Sequence, residues 1–247
     1  MSRASWTLGV SLISFFGGLV LLTTVGILVQ FMNLFVGLVV TELCLLAVAV
    51  IPVIWWINSG KAEFEETPSL RGIGWAKKLV EELGLHPVKG KIGLVSDIFI
   101  GILWGIMTLF LAIPVAAFWT WLIPPPAAYV EAMSQALTPL NPFELVLWIL
   151  FMIFVVGFCE EVLARGVLQQ GAENSLSRWG GLLLASALFA GLHLDPYRFG
   201  PIFFISFLWG IRFQKSGYSL YTTWAAHSAN NSIAIIILYW ASLIGFS

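Results

Sequence analysis

Seven runs of predominantly apolar residues, near 7–31, 33–57, 94–123, 143–168, 179–194, 200–214 and 219–244, take up most of this chain. A helix crossing the hydrocarbon core of a bilayer needs roughly 20 such residues, because lipid leaves every backbone N–H and C=O to be satisfied within the segment itself. The pattern predicts an all-α integral membrane protein, a bundle of seven transmembrane helices. The count becomes eight if the polar patch His227–Ser232 divides the last run. Pro114 predicts a kink in the third run. Composition agrees: 10% of the residues are charged, against about 25% in soluble domains.

Basic residues concentrate between the second and third runs. Lys61, Arg71, Lys77, Lys78, Lys89 and Lys91, six of the 12 Lys and Arg, fall in 58–92 beside Glu63, Glu65, Glu66, Glu81 and Glu82. By the positive-inside rule this loop and the amino terminus are cytoplasmic. The segment 124–142, which holds no Lys or Arg, then lies outside, and the short loops near 170–178 and 215–218 lie inside. Within the basic loop Trp75, Leu79 and Leu83 share a face opposite Lys77, Lys78, Glu81 and Glu82. That is the pattern of a short amphipathic helix, either lying on the membrane surface or packed on the domain. The chain divides into residues 1–92, two N-terminal spans plus the amphipathic loop, and 93–247, the remaining bundle.

Several classes are disfavoured. A net charge of −1 offers no basic surface for nucleic acid. Met1–Arg3 is too short for the charged region of a strong signal peptide, so the first run is expected to stay as a span. Cys44 and Cys159 sit inside apolar runs without a CxxC spacing and read as reduced, buried side chains.

Chemistry concentrates where charge is most costly. An ionised side chain in a span costs about 2.5–3.5 kcal/mol on insertion scales, yet Glu160-Glu161-x-x-x-Arg165 places three within six positions of the fourth run. Glu161 and Arg165, four apart, share a helix face and are placed to pair. Glu160 points elsewhere, without a cationic neighbour on its own helix, as a general base requires. Two further constellations follow, Phe189-x-x-x-His193 at the end of the fifth run and His227-x-x-x-Asn231 in the last. If the fourth and fifth runs form a hairpin turning at Leu176–Ser177, Glu160 and His193 are level. His193 then sits at the outer end of its run while His227 lies only about ten residues past an inner turn. Their meeting calls for tilted helices or a re-entrant 195–199 connection. Glu and His also suit zinc, although no HExxH is present, and Glu160, His193 and His227 are the ligands such a site would use. Cys159 lacks a histidine nearby in sequence and is the weaker nucleophile.

These three motifs, in this order on successive apolar helices, resemble those of the CPBP family of intramembrane proteases, also called the Abi family, which includes the Rce1-type CAAX prenyl endopeptidases. The resemblance covers roughly residues 143–244. It implies a membrane-embedded endopeptidase, in which Glu160 and His193 activate water, His227 and Asn231 stabilise the oxyanion, and Glu161 and Arg165 orient the site. No cofactor is favoured, with zinc the alternative. The implied partners are membrane lipids and a peptide or lipidated-protein substrate, such as a prenylated CAAX protein or a leader peptide. The expected location is the cell membrane of a prokaryote, with cleavage near the cytoplasmic leaflet. Two other functions compete: a non-catalytic scaffold or immunity-type protein of the same fold, and a proton-coupled transporter, against which the lack of inverted halves argues.

Overall fold

A computed structural model describes residues 5–26, 28, 34–59, 73–87 and 93–245. The described residues form nine helices and no strand. In chain order these are α1 (Leu8–Leu21, followed by a π turn at Leu22–Gly26), α2 (Leu34–Asn58), α3 (Ile73–Glu82), α4 (Gly93–Leu122), α5 (Ala127–Leu137), α6 (Pro142–Ser175), α7 (Arg178–Leu192), α8 (Phe199–Lys215) and α9 (Leu220–Leu243). Arg3, Lys61, Glu63, Glu65, Glu66, Ser69, Arg71, Lys89 and Lys91 lie outside the described residues, as does the side chain of Trp75.

All helices except α3 and α5 occupy the apolar runs. Among the described residues, α1 with its π turn, α2, α4 and α6 are long and apolar enough to cross a membrane. Helices α7 and α8 are shorter, at 15 and 17 residues, and α9 carries the polar patch. That patch does not divide α9, which runs unbroken through His227–Ser232, and α4 continues through Pro114 to Leu122. The Pro-rich connection 124–142 contains a helix, α5, that apolar length alone does not announce.

The sequence marks the helix starts. Asn141 caps α6 by accepting from the Glu144 amide at 2.9 Å, with Pro142 at the first helical position, and Ser177 caps α7 through Gly180 N–H at 3.0 Å. The start of α9 is held by Asp97 of α4, which accepts from Ser219 Oγ at 2.9 Å and Thr222 Oγ1 at 3.1 Å. Helices α4 and α9 touch backbone to backbone. A Cβ on Gly105 would lie 2.3 Å from the Ala226 carbonyl oxygen, so only glycine fits there.

One face of α2, Leu45, Ala49, Val53 and Ile57, repeats every four residues and packs on Val10 and Phe15 of α1 and on Val162, Leu163 and Val167 of α6. Leu79 and Leu83 join this core, so the amphipathic α3 buries its apolar face in protein. Its polar face carries the pairs Lys77–Glu81 at 3.9 Å and Lys78–Glu82 at 3.5 Å. Ile13, Phe16, Val20, Phe99, Phe110 and Ile113 point outward, as a lipid-facing surface does.

Candidate active site

Helix α6 departs from α geometry twice, in π segments at Met152–Val156 and Val162–Gln169, on either side of Gly157–Glu161. Such segments break the regular carbonyl ladder, which is tolerated in an apolar interior only where neighbours supply donors. Here they do. The Ile153 carbonyl accepts from Trp224 Nε1 at 2.6 Å, and the Val167 carbonyl from Trp6 Nε1 at 3.1 Å and Ser11 Oγ at 2.9 Å. Helices α1 and α9 therefore hold the segment that presents the glutamates. A Cβ on Gly157 would lie 2.7 Å from Ser228 Oγ, so α9 closes on α6 immediately before the motif.

Glu161 and Arg165 are fully buried and meet at 3.3 Å, Nε to Oε2. Arg165 also donates from Nη1 to Ser206 Oγ at 3.0 Å and stacks over the Phe189 ring at 5.4 Å. The other oxygen of Glu161 lies 3.1 Å from His227 Nδ1. Glu160 points the other way. Its Oε2 stands 3.7 Å from His227 Nε2 and 3.9 Å from His193 Nε2. His193 caps the end of α7, its Nδ1 3.0 Å from the Phe189 carbonyl oxygen and its ring against the Phe189 ring. Trp209 packs on the His227 ring, with centroids 4.6 Å apart.

The register difficulty is resolved by burial of the α8–α9 turn. The Leu220 amide donates to the Gly84 carbonyl at 2.7 Å, and the neighbouring Leu83 carbonyl would lie 3.1 Å from a Cβ on Gly166. Helix α9 thus begins inside the bundle, level with Gly166. From there both Glu160 and His227 lie about 9–11 Å further along their helices.

The hydrogen bonds assign the imidazole protons. Each Nδ1 faces an acceptor, a carbonyl for His193 and a carboxylate for His227, so in the neutral ring the proton sits on Nδ1 and the Nε2 lone pair faces Glu160. Three acceptors therefore converge: Glu160 Oε2 and the two Nε2 atoms. A water molecule suits them, with two protons to donate. A divalent cation also suits this donor set, since metal-bound histidines commonly hold their second N–H in this way. The spacings of 3.7 and 3.9 Å exceed the roughly 3.3 Å between ligands of a tetrahedral ion with bonds near 2.0–2.1 Å. Among the described residues no group of three His, Cys, Asp or Glu side chains is set at metal-holding distances.

These groups line a cavity of about 320 Å³ together with Asn231, whose side chain makes no hydrogen bond among the described residues. Cys159 is buried and does not line it. The walls come from the first part of α2, α6 from Trp148 to its middle at Glu160, the end of α7, the start of α8 with Arg198, and the middle of α9. On α2, α7 and α8 the lining lies mainly in the half remote from α3 and from the turns at 176–177 and 216–219, while on α6 and α9 it reaches the middle of the helix. The cavity runs from mid-bundle toward that half.

Comparison with known proteins meets the site here. Residues 142–233 match the family of type II CAAX prenyl endopeptidase Rce1-like proteins. This Rce1-like segment contains Glu160, Glu161, Arg165, His193, His227 and Asn231. An uncharacterized protein of Mycoplasma capricolum subsp. capricolum is 29% identical over 97 residues, covering 38% of this chain and 28% of that protein. The chain thus spans less than a third of that relative's length. No solved structure matches.

Two acids escape the motif reading because each stands alone in its span. Asp97 caps α9 as described. Glu42, on α2 and outside the Rce1-like segment, lines the cavity beside Glu160. A lone acid among apolar residues is itself a signal of function or pairing.

Proposed function

We propose that this chain is an intramembrane endopeptidase that hydrolyses a peptide bond with a water molecule activated by Glu160. The observation that carries this reading is Glu160 Oε2 set between two imidazole Nε2 atoms whose opposite nitrogens are already held. The match of residues 142–233 to an endopeptidase family supports it. In the proposed reaction, water bound against Glu160 and His193 attacks the carbonyl carbon. The C–O bond forms as the water proton passes to Glu160, and the carbonyl π electrons move to oxygen. Asn231 donates to that oxygen through its amide, and His227, held by Glu161 at Nδ1, packs beside it. On collapse the C–N bond breaks, its electron pair stays on nitrogen, and the proton on Glu160 moves to that nitrogen. The products are a carboxylic acid and an amine.

Seven helices cross the bilayer in this reading, with α3 on the cytoplasmic face, as the basic residues of 58–92 require. The cavity, remote from α3, then faces the outer half of the bilayer. We propose cleavage toward the outer side of mid-membrane in place of the expected cytoplasmic leaflet, because the lining on α2, α7 and α8 lies away from the basic loop. Leader or anchored peptides reach such a site, whereas prenylated cytosolic proteins require the opposite orientation. Cysteine labelling at Ser69 from outside intact cells should fail. Efficient labelling there reverses the topology and restores prenylated proteins as substrates.

The deciding experiment is mass spectrometry of membrane peptides from cells with the protein, without it, and with Glu160→Gln. Peptides cleaved only with the wild-type chain support the reading. Equal peptide sets overturn it in favour of a scaffold, and solute flux into liposomes without cleavage favours a transporter. A second reading rests on the converging lone pairs: Glu160, His193 and His227 holding zinc, which would polarise the carbonyl and acidify bound water. Stoichiometric zinc, with activity lost on its removal and restored on its return, would establish it.

A further inference from the structure

The buried face of α2 that runs Ile57, Val53, Ala49, Leu45 ends, one turn further on, at Glu42. There the apolar core gives way to the cavity. Glu42 is 8% exposed and lines the cavity, and its Oε2 has no donor within hydrogen-bond geometry among the described residues. Its carboxyl also lies within hydrogen-bond reach of the Glu160 carboxyl, so the two acids can share one proton while Glu42 Oε2 stays unfilled. Leaving a buried acceptor unpaired is costly, and an unpaired acceptor aimed into a cavity calls for a donor from whatever fills it.

The donors can be counted. Glu160 Oε2, His193 Nε2, His227 Nε2 and Glu42 Oε2 are four acceptors, while an attacking water has two protons and a scissile peptide bond one N–H. Glu160 and the two histidines converge on the water and share its two protons, and Glu42 lies outside that set. Glu42 is the acceptor left for the amide.

We propose that Glu42 is a substrate-contacting residue, whose Oε2 accepts the N–H of the scissile amide and so presents its nitrogen to Glu160. The contact breaks no bond. Nitrogen keeps that hydrogen throughout, while the lone pair released as the C–N bond breaks takes the proton from Glu160. The N-terminal helices thereby supply part of the site, and the amide link becomes a determinant of specificity. This inference rests on the peptidase reading above.

The test uses the full chain in detergent and the peptide that wild-type membranes cleave and Glu160→Gln membranes retain. It is synthesised twice, with its native scissile amide and with an ester in its place, which has no N–H. Glu42→Leu should lower kcat/KM for the amide by about 10–100-fold, the range for a buried hydrogen bond to a charged group, and leave the ester close to wild type. Glu42→Gln keeps an acceptor and should restore most of the amide rate. A merely structural Glu42 would lower both substrates equally, and that result, or an unchanged amide rate, overturns the inference. If Glu42→Leu does not fold, Glu42→Gln carries the test. Its amide-to-ester selectivity should fall by a few-fold, and an unmoved ratio overturns the inference alone. Wild-type protein that cleaves neither substrate overturns the peptidase reading and this inference with it.

Discussion

Glu173 and Glu160 are carboxylates on the same helix, and they live in opposite chemical circumstances. Glu173 Oε1 accepts from Gln169 Nε2 at 2.7 Å and Gln214 Nε2 at 2.8 Å, and its Oε2 accepts from Tyr218 Oη at 2.8 Å. Both oxygens are occupied by the protein itself, in the half of the bundle near α3. Glu160, at mid-helix, faces two imidazole nitrogens and the Glu42 carboxyl at the wall of the cavity. A saturated polar network is a structural joint, because its members have nothing left to offer a ligand. An acceptor-rich cluster short of donors is a place for reactants. Burial alone does not separate the two; hydrogen-bond accounting does.

Four substitutions break or sharpen this contrast. Glu160→Gln should show the largest effect: turnover down by about 10²–10⁴-fold, the contribution of a positioned base, with the melting temperature in detergent unchanged. A Glu160→Gln protein that melts early but turns over normally would place Glu160 with Glu173.

Glu161 belongs to neither class, being both buried joint and support for His227. Glu161→Gln leaves Arg165 charged and unpaired in the interior, and breaking a buried pair in this way costs about 3–5 kcal/mol. Denaturant unfolding in mixed micelles measures it, and a loss under about 1 kcal/mol, the range of a surface pair, would mean that Arg165 finds another partner.

Asn231 sharpens the open side. Asn231→Ala should cost about 10²–10³-fold in rate as a lost oxyanion donor, and prolonged chelation should leave wild-type activity intact. If chelation abolishes turnover while Asn231→Ala leaves it whole, the zinc reading takes over.

Glu173→Gln should have the smallest effect. Replacing one acceptor oxygen by an NH₂ sets donor against donor, costing about 1–3 kcal/mol of stability while kcat stays at wild type. Loss of kcat without loss of stability would erase the distinction between the two carboxylates.

Much of this contrast is legible along the chain. The apolar runs locate the long helices because lipid length and backbone satisfaction leave few alternatives. The spacing of Glu161 to Arg165 and of His227 to Asn231 follows from helical geometry, and the hairpin register levels Glu160 with His193. Other features are hidden. The π segments of α6 depend on Trp6, Ser11 and Trp224 from distant parts of the chain. Helix α5 is too short and mixed for its periodicity to stand out. Glu42 and Asp97 are equally conspicuous as lone acids, yet one is saturated by Ser219 and Thr222 and the other is not.

By itself the sequence determined that the chain is helical and built for lipid, and which polar residues share a helical turn, since both are local consequences of hydropathy and a period of 3.6. Only the tertiary structure decided toward which half of the bundle the cavity runs, how α9 starts deep enough to bring His227 to Glu160, and that Glu42 joins them. Those outcomes depend on contacts between residues far apart in the chain, and on which acceptors remain unfilled after all the others have found donors.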